Sequence, residues 1–247
     1  MRQSGRIVFL AVALGGVAGA VAAAEDSQPR ALPRALPAVG AHAPWQLAER
    51  NEDPAAGWVV YKRRLADSDS EVFRLEAVID APPARVAEAF RRNVVDPAVS
   101  QRHTSKTVLR DEGDIVVVHS YIDMPLVSDR DVISRCERVA ASGAGSYRFQ
   151  WWATDQGPAP APGVVRIEKS DGYWEFRPMD DPEAGPGGRT LATYESHTEI
   201  GGMVPAWLVN QLMLDTVVDG LDHLRARVQQ DTGVGPLGRR SSDSKSR

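Results

Sequence analysis

The stretch Gly201-Gly-Met-Val-Pro-Ala-Trp-Leu-Val-Asn-Gln-Leu-Met-Leu-Asp-Thr-Val-Val-Asp-Gly-Leu-Asp-His-Leu-Arg-Ala-Arg-Val228 sets the architecture of this chain. Gly201-Gly202 frees the backbone, and Pro205 suits a first helical turn. From there Leu208, Leu212, Leu214, Val217, Val218, Leu221, Leu224 and Val228 form a broad apolar stripe at helical spacing. Asp215, Asp219, Asp222, Arg225 and Arg227 supply the polar side. The pattern predicts a helix from Met203 to Val228. A helix of about 24 residues is about 36 Å long, enough to cross a small domain. Periodicity allows two outcomes: a helix lying across the mouth of a curved sheet and closing an apolar cavity, or one packed on a solid core.

Working outward, the ends shorten the 247 residues. Arg2 and Arg6 precede an apolar run from Ile7 to Val21, and Ala22-Ala-Ala24 offers a small-residue cleavage site before Glu25. Residues 1–24 therefore read as a signal peptide. The run is shorter than the roughly 20 residues a membrane-spanning helix needs. The expected location is exported and soluble, periplasmic or secreted. Residues 25–44, rich in Pro and Ala, read as a linker, and residues 231–247 as a disordered tail. One domain, 45–230, remains. The formal charge is −4; without Arg2 and Arg6 the balance is 27 basic against 33 acidic residues, or −6. That charge, with no basic stretch interleaved with aromatics, argues against nucleic acid as a partner. Cys136 is the single cysteine, so no internal disulfide is expected.

Between the ends, Trp45 to Glu52 predicts a short helix and Trp58 to Leu65 a strand. Glu71 to Asp80 alternates, with Phe73, Leu75, Ala77 and Ile79 on an apolar face. Pro83 to Arg92 predicts a helix with Val86, Ala89 and Phe90 inward. Further strands are expected at Ser105–Arg110, Ile115–Ile122, Arg130–Val139, Ser146–Ala153, Val164–Lys169, Gly172–Pro178 and Thr190–Ile200. Loops are expected at Met124–Asp129, at Gln156–Gly163 and at Asp180–Gly188. About nine strands with hairpin-length links, one early helix and one long late helix make an antiparallel α+β domain.

Two motifs and the order of elements carry a resemblance. Met124-Pro-Leu-Val-Ser-Asp-Arg-Asp-Val-Ile133 is a Pro-containing loop followed by an Arg-Asp pair and a strand. Gly202-Met-Val-Pro-Ala-Trp-Leu-Val-Asn210 is a Pro-x-Trp lead-in to the late helix. With the order of elements over Trp45 to Gln230, the chain resembles the START-domain family, the helix-grip lipid-transfer domains. That resemblance implies a curved antiparallel sheet wrapped around the C-terminal helix and enclosing one hydrophobic ligand, a lipid or sterol-like molecule. It also implies a lid formed by the Met124–Asp129 loop, with Leu126 and Val127 at its apolar tip, and the C-terminal helix. Opening would occur at a transient membrane contact.

The candidate ligand-binding residues follow from face assignments. Arg130 and Asp131 are adjacent in a strand, so they point to opposite faces. If Arg130 faces the cavity, it orients a hydroxyl, carboxylate or phosphate; otherwise it anchors the loop through a structural ion pair. Val117, His119 and Tyr121 share one face of their strand, as do Phe149 and Trp151 on theirs, and Glu195 and His197 on the last. Met124, Trp207, Leu208, Gln211 and Leu212 complete the set from the loop and the late helix. Each of these also has an ordinary packing or solvated-edge reading. No Gly-x-Ser-x-Gly elbow or phosphate-cradling glycine loop is present, and the five histidines lack ligand spacing. The expectation is therefore no catalytic residue, no metal and no cofactor. Two rival readings remain open. In the first, a cyclase or hydrolase, as related helix-grip folds include, uses Glu195, His197 and Arg130 as acid–base groups. In the second, a protein-interaction module has no cavity.

Overall fold

The structure is a computed structural model and describes residues 43–53, 56–66, 68, 70–100, 103–179, 188–202, 204 and 206–231. For residues 206, 207 and 210 only the helical path is described. The segments read as a signal peptide and, beyond Asp231, as a tail, nearly all of the segment read as a linker, most of the expected Asp180–Gly188 loop, Met203, Pro205 and the Trp207 side chain lie outside the described residues. All described residues belong to the unit Val39–Arg247.

Ten strands and two helices follow one another: β1 (Gln46–Asn51), β2 (Trp58–Arg64), β3 (Glu71–Ile79), α1 (Pro83–Val95), β4 (Thr104–Asp111), β5 (Ile115–Ile122), β6 (Arg130–Val139), β7 (Tyr147–Ala153), β8 (Val165–Arg166), β9 (Lys169–Pro178), β10 (Thr190–Glu199) and α2 (Ala206–Gln230). One sheet runs β1-β2-β3-β10-β9-β7-β6-β5-β4. Every neighbouring pair along it is antiparallel; β8 lies off this path and pairs with β6 in parallel. This is the expected α+β helix-grip arrangement, with ten strands instead of about nine.

The extra strand comes from Gln46–Asn51, read from sequence as a helix. Its composition favours a helix, yet it forms an edge strand on β2, with a register shift between Leu47 and Glu49. Ladder bonds to an open edge outweigh weak local propensity there. Val164–Lys169 and Gly172–Pro178, expected to be two strands joined at Ser170-Asp171, divide differently. Lys169–Pro178 is continuous because it zips to β10 along its whole length, from Glu199↔Lys169 to Thr190↔Pro178.

Alternation in β3 buries Phe73, Leu75, Ala77 and Ile79, and across the ladder Ala192 and Phe176 meet them. α1 starts at Pro83 after Pro82 and places Val86, Ala87 and Ala89 against the sheet. α2 buries Val217, Leu221, Leu224 and Val228, all 5% exposed or less, in the same core. Its C-terminal half is also tied by charge. Arg227 donates Nε–H to Asn93 Oδ1 (2.9 Å), and Arg85 donates to the Val228 carbonyl (3.1 Å). Arg225 donates to the carbonyls of Ala56, Gly57 and Val78. Before α2, Gly201 and Gly202 both take positive φ, 71° and 69°, a conformation that costs a residue with a Cβ.

Candidate functional site

Alongside α2, from Leu212 to Leu224, the sheet and helices part around a cavity of about 310 Å³. That volume lies at the lower end of the roughly 300–1,000 Å³ common for small-molecule sites. Its apolar wall comes from Val118 and Ile122 of β5, Val132 of β6, Trp151 of β7, Trp174 of β9 and Leu212 and Met213 of α2. Phe90 and Val94 of α1, Met124 and Ile167 add to it. Trp151 stacks on Tyr194 at 5.3 Å between ring centroids, and Trp174 meets Tyr194 at 5.0 Å, so one side is an aromatic panel. Gly172 makes room for it: a Cβ there would sit 2.4 Å from the Trp151 ring and 2.3 Å from the Glu195 carbonyl oxygen.

Polar groups on the wall are the hydroxyls of Ser100, Thr104, Ser120, Ser134, Tyr194 and Thr216, the Ser170–Thr198 pair (3.0 Å), Asn93, His223, and the charged Lys106 and Arg130. Burial, as the largest cause, lowers the Lys106 ammonium to about 8. Burial likewise pushes the Cys136 thiol up to about 12, so this cavity-lining cysteine is a neutral, unreactive group.

Arg130 is 3% exposed, lines the cavity and bonds to both expected lid segments. Its Nη1 donates to the Ser128 carbonyl of the Met124–Asp129 loop, and its Nη2 to the Gly201 carbonyl at 2.9 Å. Met124 is buried and lines the cavity, held by its N–H to the Asp129 carboxylate (3.0 Å). Leu126, at φ 71°, is 90% exposed. Val127 is half-buried; neither it nor Leu126 is among the cavity's lining residues.

Of the residues singled out from sequence, Met124, Arg130, Trp151 and Leu212 are brought together on the wall. Phe149 shares the face of Trp151 but packs in the core against Phe90 and Phe176. Leu208 is buried away from the cavity, and Gln211 is exposed, donating to Asp215 within its own helix. Val117, His119 and Tyr121 are corrected outright. Strand β5 turns Val118, Ser120 and Ile122 inward, because Ile122 pairs with Arg130 and shares its face.

On the far face, His119 shares the Asp131 carboxylate (2.9 Å) with Arg166, which donates to both oxygens at 2.7 and 2.8 Å. Tyr121 donates to Asp129. The Arg166 hydrogen bond, with His119 adding to it, holds the Asp131 carboxyl below the usual carboxylate range. Glu195 and His197 are likewise on the far face. Glu195 lies 3.4 Å from Arg63 and 3.6 Å from Arg74 and accepts from Tyr173 at 3.2 Å. His197 is 3.3 Å from Ser68. The sheet therefore separates Arg130 from Glu195 and His197, and the proposed acid–base trio does not converge. Sequence reasoning missed Lys106, Trp174, Tyr194 and Thr198. Tyr194 and Thr198 follow from strand parity once Leu75 is placed inward, because Leu75 pairs with Tyr194.

A START domain model matches residues 40–233. An uncharacterized protein of Pseudomonas aeruginosa is 28% identical over 191 residues, covering 75% of this chain and 87% of that protein. The mitochondrial steroidogenic acute regulatory protein of Bos taurus is 30% identical over 176 residues, and the match spans only 56% of that longer protein. Among solved structures, the STAR-related lipid transfer protein of Xanthomonas axonopodis superposes with a TM-score of 0.58 at 26% identity, covering 75% of this chain and 99% of that one. Human StAR-related lipid transfer protein 5 shares the fold, with a TM-score of 0.57 at 16% identity. With the family model matching most of its length and the same sheet gripping the same helix, the chain belongs to the START domain family.

Proposed function

We propose that this protein is a non-enzymatic carrier that binds one hydrophobic molecule in the cavity beneath α2 and moves it through an aqueous compartment outside the cytosol. The observation that carries the reading is the cavity itself, apolar over most of its wall, with Arg130 on that wall donating to carbonyls of the Met124–Asp129 loop and of the segment before α2. Removing apolar surface from water favours binding by roughly 25 cal/mol per Å², so enclosure by aromatic and aliphatic side chains is the main driving force. The relatives named for lipid transfer support the same class of ligand. Access requires a part that moves without disrupting the sheet. The N-terminal half of α2 fits, because the ties from Arg225, Arg227 and Arg85 grip only the other half. The exposed Leu126 at the tip of the facing loop suits contact with a membrane surface during exchange.

Native mass spectrometry of the protein purified from its own host, followed by organic extraction, tests this reading. The expected result is a discrete extra mass that extracts as a lipid, on a chain beginning at Glu25. A bare polypeptide mass that persists after incubation with lipid vesicles refutes the carrier and favours an interaction module.

A further inference from the structure

Besides the His223 imidazole, the cavity wall carries two cationic side chains, Lys106 and Arg130, and no Asp or Glu, in a chain with 33 acidic residues and a net charge of −4. Arg130 is the more exacting of the two. A guanidinium is always charged and has five N–H donors. Here two of its bonds are accounted for, both to backbone carbonyls, and its buried Nε–H has no partner among the described residues. The acids nearest in sequence are engaged elsewhere. Asp129 accepts from Tyr121 and from the Met124 N–H, and Asp131 turns to the opposite face to hold Arg166 and His119. The Asp129 carboxylate acts on Arg130 only through space, without a hydrogen bond to it, and a buried cation with no carboxylate in contact is costly unless something brings it a counter-charge.

Building on the carrier reading, we infer that the occupant of the cavity is an apolar molecule bearing one acidic group, a carboxylate or a phosphate monoester, and that Arg130 binds that group. The modest volume favours a single chain or fused-ring body over a two-chain lipid. Lys106 is a weaker rival anchor, because its ammonium already donates to the Asn93 carbonyl and lies under the influence of Asp96. The position of Arg130 adds a consequence. The acid group would arrive beside the two carbonyl bonds that tie the Met124–Asp129 loop to the glycine hinge of α2, so ligand charge and closure meet at one side chain.

The test is isothermal titration of the delipidated full mature chain with four probes: dodecanoic acid, dodecyl phosphate, 1-dodecanol and inorganic phosphate. A charge-assisted hydrogen bond gives the two amphipathic acids a preference over the alcohol of at least about tenfold. Inorganic phosphate alone gives no heat, which separates an acidic lipid from a free anion. The preference persists at about pH 9.5, because a guanidinium does not titrate there. Arg130→Gln removes it. Ser120→Glu provides a second variant that leaves Arg130 and its carbonyl bonds in place. Ser120 lies inward on β5 opposite Val132, diagonal to Arg130. Such neighbours are about 7–8 Å apart, within reach of a glutamate, which then supplies the missing counter-charge and cancels the preference. Equal affinity for acid and alcohol overturns this inference and leaves the carrier reading standing. Failure of all the amphipaths to bind overturns both. A preference that survives in both variants, or that fades across about pH 8 where Lys106 titrates, overturns the assignment to Arg130.

Discussion

Gly172→Ala tests the aromatic wall of the cavity through a single methyl group. Gly172 lies in β9 opposite Trp151 of β7 on one side and Ser196 of β10 on the other. The added Cβ would approach Trp151 Cζ2 to 2.4 Å, Trp151 Cε2 to 2.9 Å and the Glu195 carbonyl oxygen to 2.3 Å. Carbon contacts in a well-packed interior settle at about 3.5–4.0 Å, so the ring must move by more than 1 Å. Backbone must move too, since one of the clashing atoms belongs to the β10 ladder. Overpacking of this kind costs about 1–3 kcal/mol, more than the few tenths to 1 kcal/mol that Gly→Ala returns through a stiffer unfolded chain. Net of that return the cost is about 0.5–2.5 kcal/mol, and at about 2–4 °C per kcal/mol for a domain of this size the melting temperature falls by about 1–10 °C. Because Trp151 is stacked on Tyr194, the displaced ring also enters the cavity, and lipid affinity falls with stability. Thermal circular dichroism and lipid titration on the same sample measure both. A melting temperature within about 1 °C of wild type, with unchanged affinity, would refute the close approach at Gly172 and the Trp151 wall built on it.

Three further outcomes are expected. Leu212→Asp places a charge on the cavity face of α2 and lowers lipid affinity at least about tenfold while the sheet's circular dichroism stays unchanged; undiminished uptake would sink the lid. Asp131→Asn leaves Arg166 without its bidentate partner and costs about 3 kcal/mol in chemical denaturation. Since the folded Asp131 carboxyl is held low, its contribution is fully present above the unfolded pKa of about 3.9 and is lost as pH falls through the lower folded value. The wild-type advantage is therefore flat at neutral pH and shrinks only in acid. For Lys106 the sign is reversed: its folded pKa, about 8, lies below the unfolded value, so the folded state sheds a proton first and wild-type stability rises relative to Lys106→Met from about pH 8 to about 10.5. A flat difference across that range would show the ammonium to be solvated.

The fold was legible where one face of an element had to be apolar. β3 shows it in Phe73, Leu75, Ala77 and Ile79, and α2 in the run from Leu208 to Val228. β1 was not legible, since nearly all of it is exposed and no burial pattern could distinguish an edge strand from a helix. The site suffered from strand parity. In β5 both faces are covered: Val117 is 1% exposed beneath the far-face groups and Val118 is 8% exposed toward the cavity. Two buried faces erase the alternation that fixes which side is inward. His119 and Tyr121 then drew attention as polar tips, although their partners Asp131 and Asp129 lie away from the cavity. The seven residues between β5 and β6 are too many for turn type to set register, so the pairing of Ile122 with Arg130 had to come from the structure. The hinge glycines were legible in their role, and their contact with Arg130 was not: a Cβ on Gly202 would come within 3.1 Å of the guanidinium.

The neighbouring positions of β3 and β10 at the middle of the sheet carry a consequence for biosynthesis. Leu75 pairs with Tyr194, so the central ladder joins segments more than 100 residues apart in sequence. At roughly 5–20 residues per second, β3 waits on the order of 10 s for its partner to be made. During that interval its ladder groups and the apolar face of Phe73 and Leu75 have only β2 and α1 beside them. Pairing this distant also slows the closing step itself, since loop closure precedes the contacts that reward it. The chain therefore completes its sheet only after nearly all of it has been synthesised, and until then its central edge is a site for chaperone capture or for mispairing with another copy.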